Sequence, residues 1–142
     1  MGDYETMHTF RRKVAYHETD KMGITHHSNY VKYLEEARCA YLEAIGCPFQ
    51  TLEARGVVSP VVSIALDYHH PSTFGDELLI DVTVTKYTGV RMEVAYKITQ
   101  AADGALVATA TSGHCFLAHG KVTSLKKTCP DIHELMLSHV EA

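Results

Sequence analysis

The residues with the clearest chemical potential lie in a polar segment, residues 18–28, which holds Asp20, His26 and His27. This segment ends where a helical pattern begins. The start of a helix offers unpaired backbone N–H groups and the positive end of the helix dipole, which can stabilise an anion or the oxyanion of acyl transfer. A carboxylate in the preceding loop could reach the same point. The pattern indicates a hydrolytic site, although a turn-capping aspartate and two exposed histidines would give the same sequence.

The element that must position this loop is a helix predicted over residues 29–45. Its apolar residues recur at helical spacing and its charged residues lie on the opposite side. The apolar stripe consists of Tyr30, Tyr33, Leu34, Ala37, Tyr41, Leu42 and Ile45. Ser28 or Asn29 is expected to cap the N-terminus, and Gly46 with Pro48 to end the helix.

The rest of the chain is dominated by alternating apolar and polar residues, which predict β-strands. The five predicted strands are 10–17, 62–68, 78–85, 91–99 and 105–117. Hairpin turns are expected at Thr88-Gly89 and Asp103-Gly104, and short helices at 49–55 and 130–139. The fold class is therefore α+β, a five-stranded antiparallel sheet with one long helix on one face. The other face is expected to expose Val, Ala and Leu side chains and to be covered by oligomerisation.

The composition limits the classes of protein that are possible. The chain has 142 residues, of which 46% are hydrophobic and 21% charged, as in a single globular domain spanning residues 1–142. A net charge of −4 gives no support for nucleic-acid binding, and no segment is apolar enough for membrane insertion. The four cysteines show no C-x-x-C spacing, so free thiols and a cytoplasmic location are expected.

Residues 16–30 read YHETDKMGITHHSNY and are followed by Glu35, Ala37 and Arg38. This combination resembles the signature of hotdog-fold acyl-CoA thioesterases, in particular the 4-hydroxybenzoyl-CoA thioesterase-like branch that includes YbgC. The later run Tyr68-x-x-Pro71-x-x-Phe74-x-Asp76 also resembles that group. The similarity extends over roughly residues 8–120 and implies a hotdog fold, in which the sheet wraps around the long helix.

The resemblance also implies roles for individual residues. Asp20 matches the catalytic carboxylate, acting as nucleophile or general base. His27 matches the position whose backbone amide faces the thioester carbonyl and whose imidazole assists. Tyr16, Gly23 and Tyr30 are assigned to substrate binding, with Tyr16 lining the pocket and Gly23 allowing close approach at a turn. Positions assigned to the shape and packing of the helix are Asn29, Tyr30, Glu35 and Arg38.

The implied reaction is hydrolysis of an acyl-CoA thioester to the free acid and CoA, with no metal or organic cofactor. The CoA thiolate is a good leaving group, so no strong general acid is needed. The implied partner is the acyl-CoA substrate. The expected apolar outer face predicts in addition a homo-oligomer, at least a dimer through edge pairing of the sheets and, as the larger assembly, a tetramer built from two dimers. The identity of the acyl group stays open, because the depth of the pocket depends on how the protomers pack.

Three other readings remain open from the residues. His17, Asp20 and His27 could close a metal site. Histidines that are adjacent in the sequence are less suited to binding one ion, because neighbouring residues on a strand point to opposite faces. A hotdog hydratase is disfavoured, because its characteristic D-x-N-P-like run is absent from this sequence. A hotdog protein that binds acyl-CoA or an acyl carrier without turnover is the main alternative, and the presence of Asp20 argues against it.

Overall fold

The central element of the fold is a five-stranded sheet with strand order β1-β4-β5-β6-β3, in which every neighbouring pair is antiparallel. It is seen in a computed structural model that describes residues 7–140. Helix α1, Ser28–Ala44, lies on one face of this sheet. The strands are β1 Met7–Lys13, β3 Val61–Tyr68, β4 Glu77–Tyr87, β5 Arg91–Gln100 and β6 Leu106–Cys115.

Smaller elements lie around this sheet. A 3₁₀ turn, Tyr16–Glu18, follows β1. The short helices are α2 Phe49–Ala54, α3 Leu125–Thr128 and α4 Pro130–Leu137. A second sheet, with strand order β2-β7-β8, consists of β2 Val57–Val58, β7 Leu117–Ala118 and β8 Lys121–Val122. In the part of the chain that the structure describes, no helix has the length and apolar character needed to cross a membrane.

The core lies between α1 and the covered face of the sheet. Alternate side chains of β4 and β5 are almost fully buried there, as the alternation predicts: Leu78, Ile80, Val82, Val84, Met92, Val94, Tyr96 and Ile98. They belong to one cluster with Tyr33, Leu34 and Tyr41 of the helical stripe. Burial of each large aliphatic side chain contributes about 1.5–3 kcal/mol. Strand β5 pairs with β4 on one side and with β6 on the other, both antiparallel, so both predicted hairpins are confirmed. The predicted long helix and the α+β layout are confirmed as well.

The first strand ends earlier than predicted. Instead of continuing to residue 17, the chain leaves the sheet after Lys13, and the Val14 N–H donates to the Asp76 carbonyl. The Glu18 carboxylate accepts a hydrogen bond from the Ala15 N–H and pulls the chain into the 3₁₀ turn. As a result Tyr16 lies outside the sheet and is 75% exposed, so the prediction that the first strand continues to residue 17 is wrong.

The predicted strand 105–117 is also interrupted. Strand β6 ends at Cys115, and the next residues join the small sheet as β7. A turn at His119 and Gly120, both with positive φ, then leads into β8. The Ala-, Val- and Thr-rich composition favours strand on both sides of this break and does not mark its position.

The outer face of the sheet differs from the expectation. Its alternate positions carry mainly Thr and charged residues, including Asp81, Thr83, Thr85, Arg91, Glu93, Lys97, Thr109 and Thr111. The expected apolar outer face is therefore wrong. Exposed apolar side chains are found instead on edge strand β3, where Val61, Val62, Ile64 and Tyr68 are 39–54% exposed. Apolar and polar side chains alternate along β3 as predicted, but α1 does not cover this strand.

Candidate active site

Asp20 lies in a tight turn that fixes its carboxylate. The Asp20 N–H donates to the Ile24 carbonyl and the Gly23 N–H donates to the Asp20 carbonyl, both at 2.9 Å. The carboxylate Oδ1 accepts a hydrogen bond from the Met22 N–H at 2.8 Å. Gly23 has φ +80°, a left-handed conformation that side chains disfavour. Gly23 therefore forms the expected turn, and its part in substrate approach stays a prediction.

Helix α1 begins at Ser28, with His27 at the N-cap position. The predicted onset is right within one residue, but the predicted capping by Ser28 or Asn29 is wrong. The Ser28 N–H donates to His26 Nδ1 at 3.3 Å. The buried Asn29 side chain instead donates to the carbonyls of Glu18 and His26, at 2.8 and 3.3 Å. These bonds tie the helix start to the 3₁₀ turn.

Among the described residues, the backbone N–H of His27 is one donor of this region that has no acceptor. The two preceding amides are occupied, since the Thr25 N–H donates to Ser72 O at 2.7 Å and the His26 N–H donates to Glu18 O at 2.8 Å. Within residues 7–140, no protein acceptor is bonded to the His27 N–H. It therefore stands at the positive end of α1, available to an oxyanion.

Asp20 and His27 line the same pocket, which has a volume of about 340 Å³. We call it the catalytic pocket; its other lining residues are Met22, Ile24, Thr25, Tyr30, Tyr68, His69, His70 and Pro71. The structure thus brings together the carboxylate and the helix start that the sequence placed seven residues apart. His26 does not line this pocket; its ring stacks on that of His27 at 4.3 Å.

The three residues assigned to substrate binding differ in their position relative to the catalytic pocket. Tyr30 lines the catalytic pocket, but its hydroxyl lies 2.7 Å from the Ser72 Oγ, so it holds the wall together. Gly23 shapes the turn beneath the pocket without lining it. Tyr16 does not line the pocket either, and its exposed ring packs edge-on against Phe74 at 5.5 Å. The structure therefore does not bring Tyr16 to Asp20 within one chain.

Tyr68, at the end of β3, forms one wall of the catalytic pocket and was not among the predicted site residues. Its ring lies 5.5 Å from the Tyr30 ring and 6.4 Å from the His27 ring, and its hydroxyl donates to the His27 carbonyl at 3.3 Å. Burial, and to a smaller extent Tyr30, raise the pKa of Tyr68. The sequence feature that could have identified Tyr68 is the Tyr68-x-x-Pro71 run, since both of its named residues line the pocket.

Glu18 was also missed, and it is the anchor of the whole loop. Its carboxylate is 1% exposed and accepts two hydrogen bonds from Arg12, at 2.7 and 3.0 Å. It also accepts one from the Tyr33 hydroxyl and one from the Ala15 N–H, both at 2.8 Å. Lys32 lies 3.6 Å away. No periodic pattern marks a glutamate in a polar segment as buried, so the sequence carried no clear signal.

The pKa of Glu18 reflects these bonds. Burial alone would raise it, but the hydrogen bonds from Ala15, Tyr33 and Arg12 outweigh burial and lower the pKa to about 2. Glu18 is therefore ionised and fully engaged in holding the structure. It cannot serve as a proton carrier near neutral pH.

The metal alternative was tested on the same geometry. Across residues 7–140, no group of three or more His, Cys, Asp and Glu side chains is arranged to hold a metal ion. His17 is exposed and does not line the catalytic pocket with Asp20 and His27. His17 is therefore not brought together with Asp20 and His27.

Comparisons with known proteins identify the family to which this fold belongs. Residues 14–132 match the model of the thioesterase-like superfamily. The chain is 34% identical, over 89% of its length and 94% of the relative, to the putative acyl-CoA thioesterase YneP of Bacillus subtilis strain 168.

Among solved structures, the DHNA-CoA thioesterase from Staphylococcus aureus is 27% identical, with a TM-score of 0.88 over 92% of this chain and 89% of that one. The 4-hydroxybenzoyl-CoA thioesterase from Pseudomonas sp. strain CBS-3 shares the fold at 21% identity, with a TM-score of 0.79 over 92% and 99% of the two chains. The sheet order, the single long helix and the family match lead to one conclusion: the chain belongs to the thioesterase-like superfamily and has the hotdog fold.

Proposed function

We propose that the protein hydrolyses acyl-CoA thioesters to the free acid and CoA, with Asp20 and the helix start at His27 as its catalytic groups. One observation carries this proposal: Asp20 and His27, whose backbone N–H has no acceptor among the described residues, line the same pocket. A thioester carbonyl needs these two groups, a nucleophile or base and an oxyanion donor. The relatives that are named as acyl-CoA thioesterases support the same substrate class.

The reaction follows from the placement of the two groups. The thioester oxygen accepts a hydrogen bond from the His27 N–H, which strengthens as negative charge develops and can contribute about 3–4 kcal/mol. Asp20 attacks the carbonyl carbon to form a mixed anhydride, which water then hydrolyses, or it takes a proton from the attacking water. In both routes the C–S bond breaks with its electron pair on sulfur, and CoA leaves as the thiolate.

We further propose that the working unit is a homodimer formed through β3. One side of this strand pairs with β6, and its other side pairs with no strand among the described residues. Identical edge strands related by a two-fold axis pair in the antiparallel direction, which would satisfy the free backbone groups and cover the apolar side chains of β3.

The predicted tetramer depends on an apolar outer face, and the mainly polar outer face of the sheet does not supply that basis, so only the dimer is proposed. Light scattering at micromolar concentration tests both assemblies. A stable monomer would contradict the dimer. The four free cysteines, three of them buried, fit a reducing compartment, so we place the protein in the cytoplasm as part of the proposal. Cell fractionation checks this location.

The decisive experiment is a thiol-release assay across a panel of aromatic, short-chain and long-chain acyl-CoAs. We expect turnover by the wild-type protein and loss of turnover in the Asp20→Asn variant. Calorimetry with the same acyl-CoAs measures binding in parallel. Binding without turnover in the wild type would instead identify a non-catalytic acyl-CoA binding protein.

A further inference from the structure

A second groove lies at the opposite end of β3 from the catalytic pocket. It has a volume of about 350 Å³, and its lining includes Glu35, Arg38, Cys39, Ser59 and Val61. We call it the Arg38 groove. Helix α1 runs alongside β3, with its first turn against Tyr68 and its third turn in this groove. The two cavities therefore mark the two ends of one exposed edge.

Arg38 is a buried cation without a counter-charge among the described residues. It is 5% exposed, and within this part of the chain its Nη1 donates to the hydroxyl of Tyr96, at 3.1 Å. The Arg38 Nε is buried and has no partner among the described residues. Glu35 and Glu53 line the same groove, but neither forms an ion pair with Arg38 in the described part of the chain. A buried guanidinium in this state has a strong demand for an oxygen acceptor.

The groups behind Arg38 do not meet this demand. The Tyr96 hydroxyl lies 2.6 Å from the Ser112 Oγ, which lies 2.7 Å from His114 Nε2, so the chain of hydrogen bonds runs away from the groove. Burial and the charge of Arg38 lower the pKa of His114 to about 4, which keeps its imidazole neutral. The positive charge of Arg38 is thus left for a group that enters from the groove.

The two-fold symmetry of the proposed dimer determines which pocket opens onto the Arg38 groove. In the proposed dimer, the two-fold axis reverses the second copy of β3, so that Tyr68 of one protomer comes opposite the Val61 end of the other. Tyr68 belongs to the catalytic pocket and Val61 to the Arg38 groove. The catalytic pocket of each protomer therefore adjoins the Arg38 groove of its partner.

We propose that the Arg38 groove of one protomer forms the far end of the acyl pocket of the other, where Arg38 selects acyl groups that carry an oxygen acceptor. This inference rests on the proposed thioesterase activity and on the proposed dimer. Within it, Arg38 is a specificity-determining residue that acts across the interface. An acyl group without such an oxygen leaves the guanidinium unpaired, which is the situation in which binding sites discriminate most strongly.

The preference is measured with pairs of acyl-CoAs that differ by one distal oxygen. Suitable pairs are 4-hydroxybenzoyl-CoA with benzoyl-CoA, and ω-hydroxyacyl-CoAs with acyl-CoAs of the same length. For at least one pair we expect the wild type to favour the oxygenated member by about 10-fold or more in kcat/KM, as for a hydrogen bond to a charged group. If no pair shows a preference, the inference is wrong.

The Arg38→Gln variant should lose this preference, so that its kcat/KM values for the two members of a pair become nearly equal. Cys39→Ser, a nearly isosteric change in the same groove, is the matched control and should keep the preference. If Arg38→Gln does not give a folded dimer by circular dichroism and light scattering, Arg38→Lys replaces it, because lysine keeps the charge but loses the planar fork of donors. A folded Arg38 variant with unchanged preference overturns the inference.

Mixed dimers decide whether Arg38 acts across the interface. A dimer of one Asp20→Asn protomer and one Arg38→Gln protomer, purified with two tags, contains one fully wild-type site only if each site combines Asp20 of one protomer with Arg38 of the other. We expect this dimer to show about half of the wild-type kcat and the full preference. The matched control pairs a doubly substituted protomer with a wild-type one and should turn over without the preference.

The reverse result places Arg38 and Asp20 of the same protomer in one site and overturns the inference while leaving the proposed function intact. If the wild type hydrolyses none of the acyl-CoAs, the proposed function fails. In that case the affinities of the wild type and of Arg38→Gln for the same pairs, measured by calorimetry, still test the selection by Arg38. Equal affinities within every pair would overturn it.

Discussion

Glu18 and Asp20 are two carboxylates in the same loop, separated by one residue, and the fold uses them in opposite ways. Glu18 is 1% exposed and accepts hydrogen bonds from Arg12, Tyr33 and Ala15. Asp20 accepts one hydrogen bond from the Met22 N–H and faces the catalytic pocket. A carboxylate whose acceptor sites are all filled stabilises structure, whereas one with free acceptor sites can react.

The difference also shows how the site is kept rigid. Glu18 fixes the loop through its backbone as well, because its carbonyl accepts hydrogen bonds from the His26 N–H and the Asn29 side chain. Asp20 can therefore remain underbonded without making the loop mobile. The stability of the loop and its chemistry reside in different residues, and substitutions should separate them.

The largest effect is expected from Glu18→Gln. Loss of the buried charge leaves Arg12 with Glu36 alone, and the free energy of unfolding should fall by about 3 kcal/mol, the lower end for a broken buried ion pair. Chemical denaturation at a fixed protein concentration measures this change. Glu36→Gln, which removes the more exposed partner, is the control and should cost less than about 1 kcal/mol. Equal losses in the two variants would contradict the assigned role of Glu18.

Asp20→Asn should show the opposite profile. The amide oxygen can still accept from the Met22 N–H, so the free energy of unfolding should change by less than about 0.5 kcal/mol. The value of kcat should fall by roughly 100-fold or more, because both the nucleophile and the base are lost. Steady-state kinetics on the best substrate measures this loss. A variant that retains about a third of the wild-type kcat would show that Asp20 has no catalytic role.

The adjacent histidines sharpen the comparison further. His27→Ala keeps the backbone amide and removes only the imidazole, so kcat should fall by roughly 5–50-fold, less than for loss of an oxyanion donor. His26→Ala should change kcat/KM by less than about threefold, since His26 does not line the catalytic pocket. Its cost should appear in stability, through the lost cap of the Ser28 N–H, as about 0.5–2 kcal/mol. A larger kinetic defect in His26→Ala would reverse the assignment of these neighbours.

The last prediction concerns acid, which removes the Glu18 charge without a substitution. The pKa of Glu18 is about 2 in the folded protein and 4.5 in its ordinary state. Its stabilisation is therefore complete above pH 4.5 and is lost as the pH falls towards 2, with a slope of at most about 1.4 kcal/mol per pH unit. Over this window the unfolding free energy of the wild type should fall more steeply than that of Glu18→Gln. Parallel curves would show that another group controls acid unfolding.

The parts of the fold that were predictable are those in which the side-chain period alone determines burial. The apolar stripe from Tyr30 to Leu42 located α1, and the alternation in β4 and β5 located the core. The same alternation in β3 gave no buried face, because a strand has the same period at an edge as at the centre of a sheet. Only the position of α1 decides which strands are covered.

The candidate site was predictable to a similar degree. The roles of Asp20 and His27 were predicted from the family resemblance. The start of the helix was predicted from the point at which the spacing of apolar residues becomes helical. Tyr16 was misplaced because its alternation continues that of β1, while the inward turn of Glu18 depends on partners distant in sequence, such as Arg12 and Tyr33. Such long-range hydrogen bonds leave no local pattern.

The unoccupied amide of His27 has a consequence for observing the protein in solution. The amide protons of Thr25 and His26 are held in hydrogen bonds, whereas that of His27 is held by none within residues 7–140. It should therefore exchange with deuterium much faster than its two predecessors in the free protein. A carbonyl oxygen seated at the helix start would slow that exchange. One NMR signal thus reports occupancy of the pocket, even in a variant that no longer turns over.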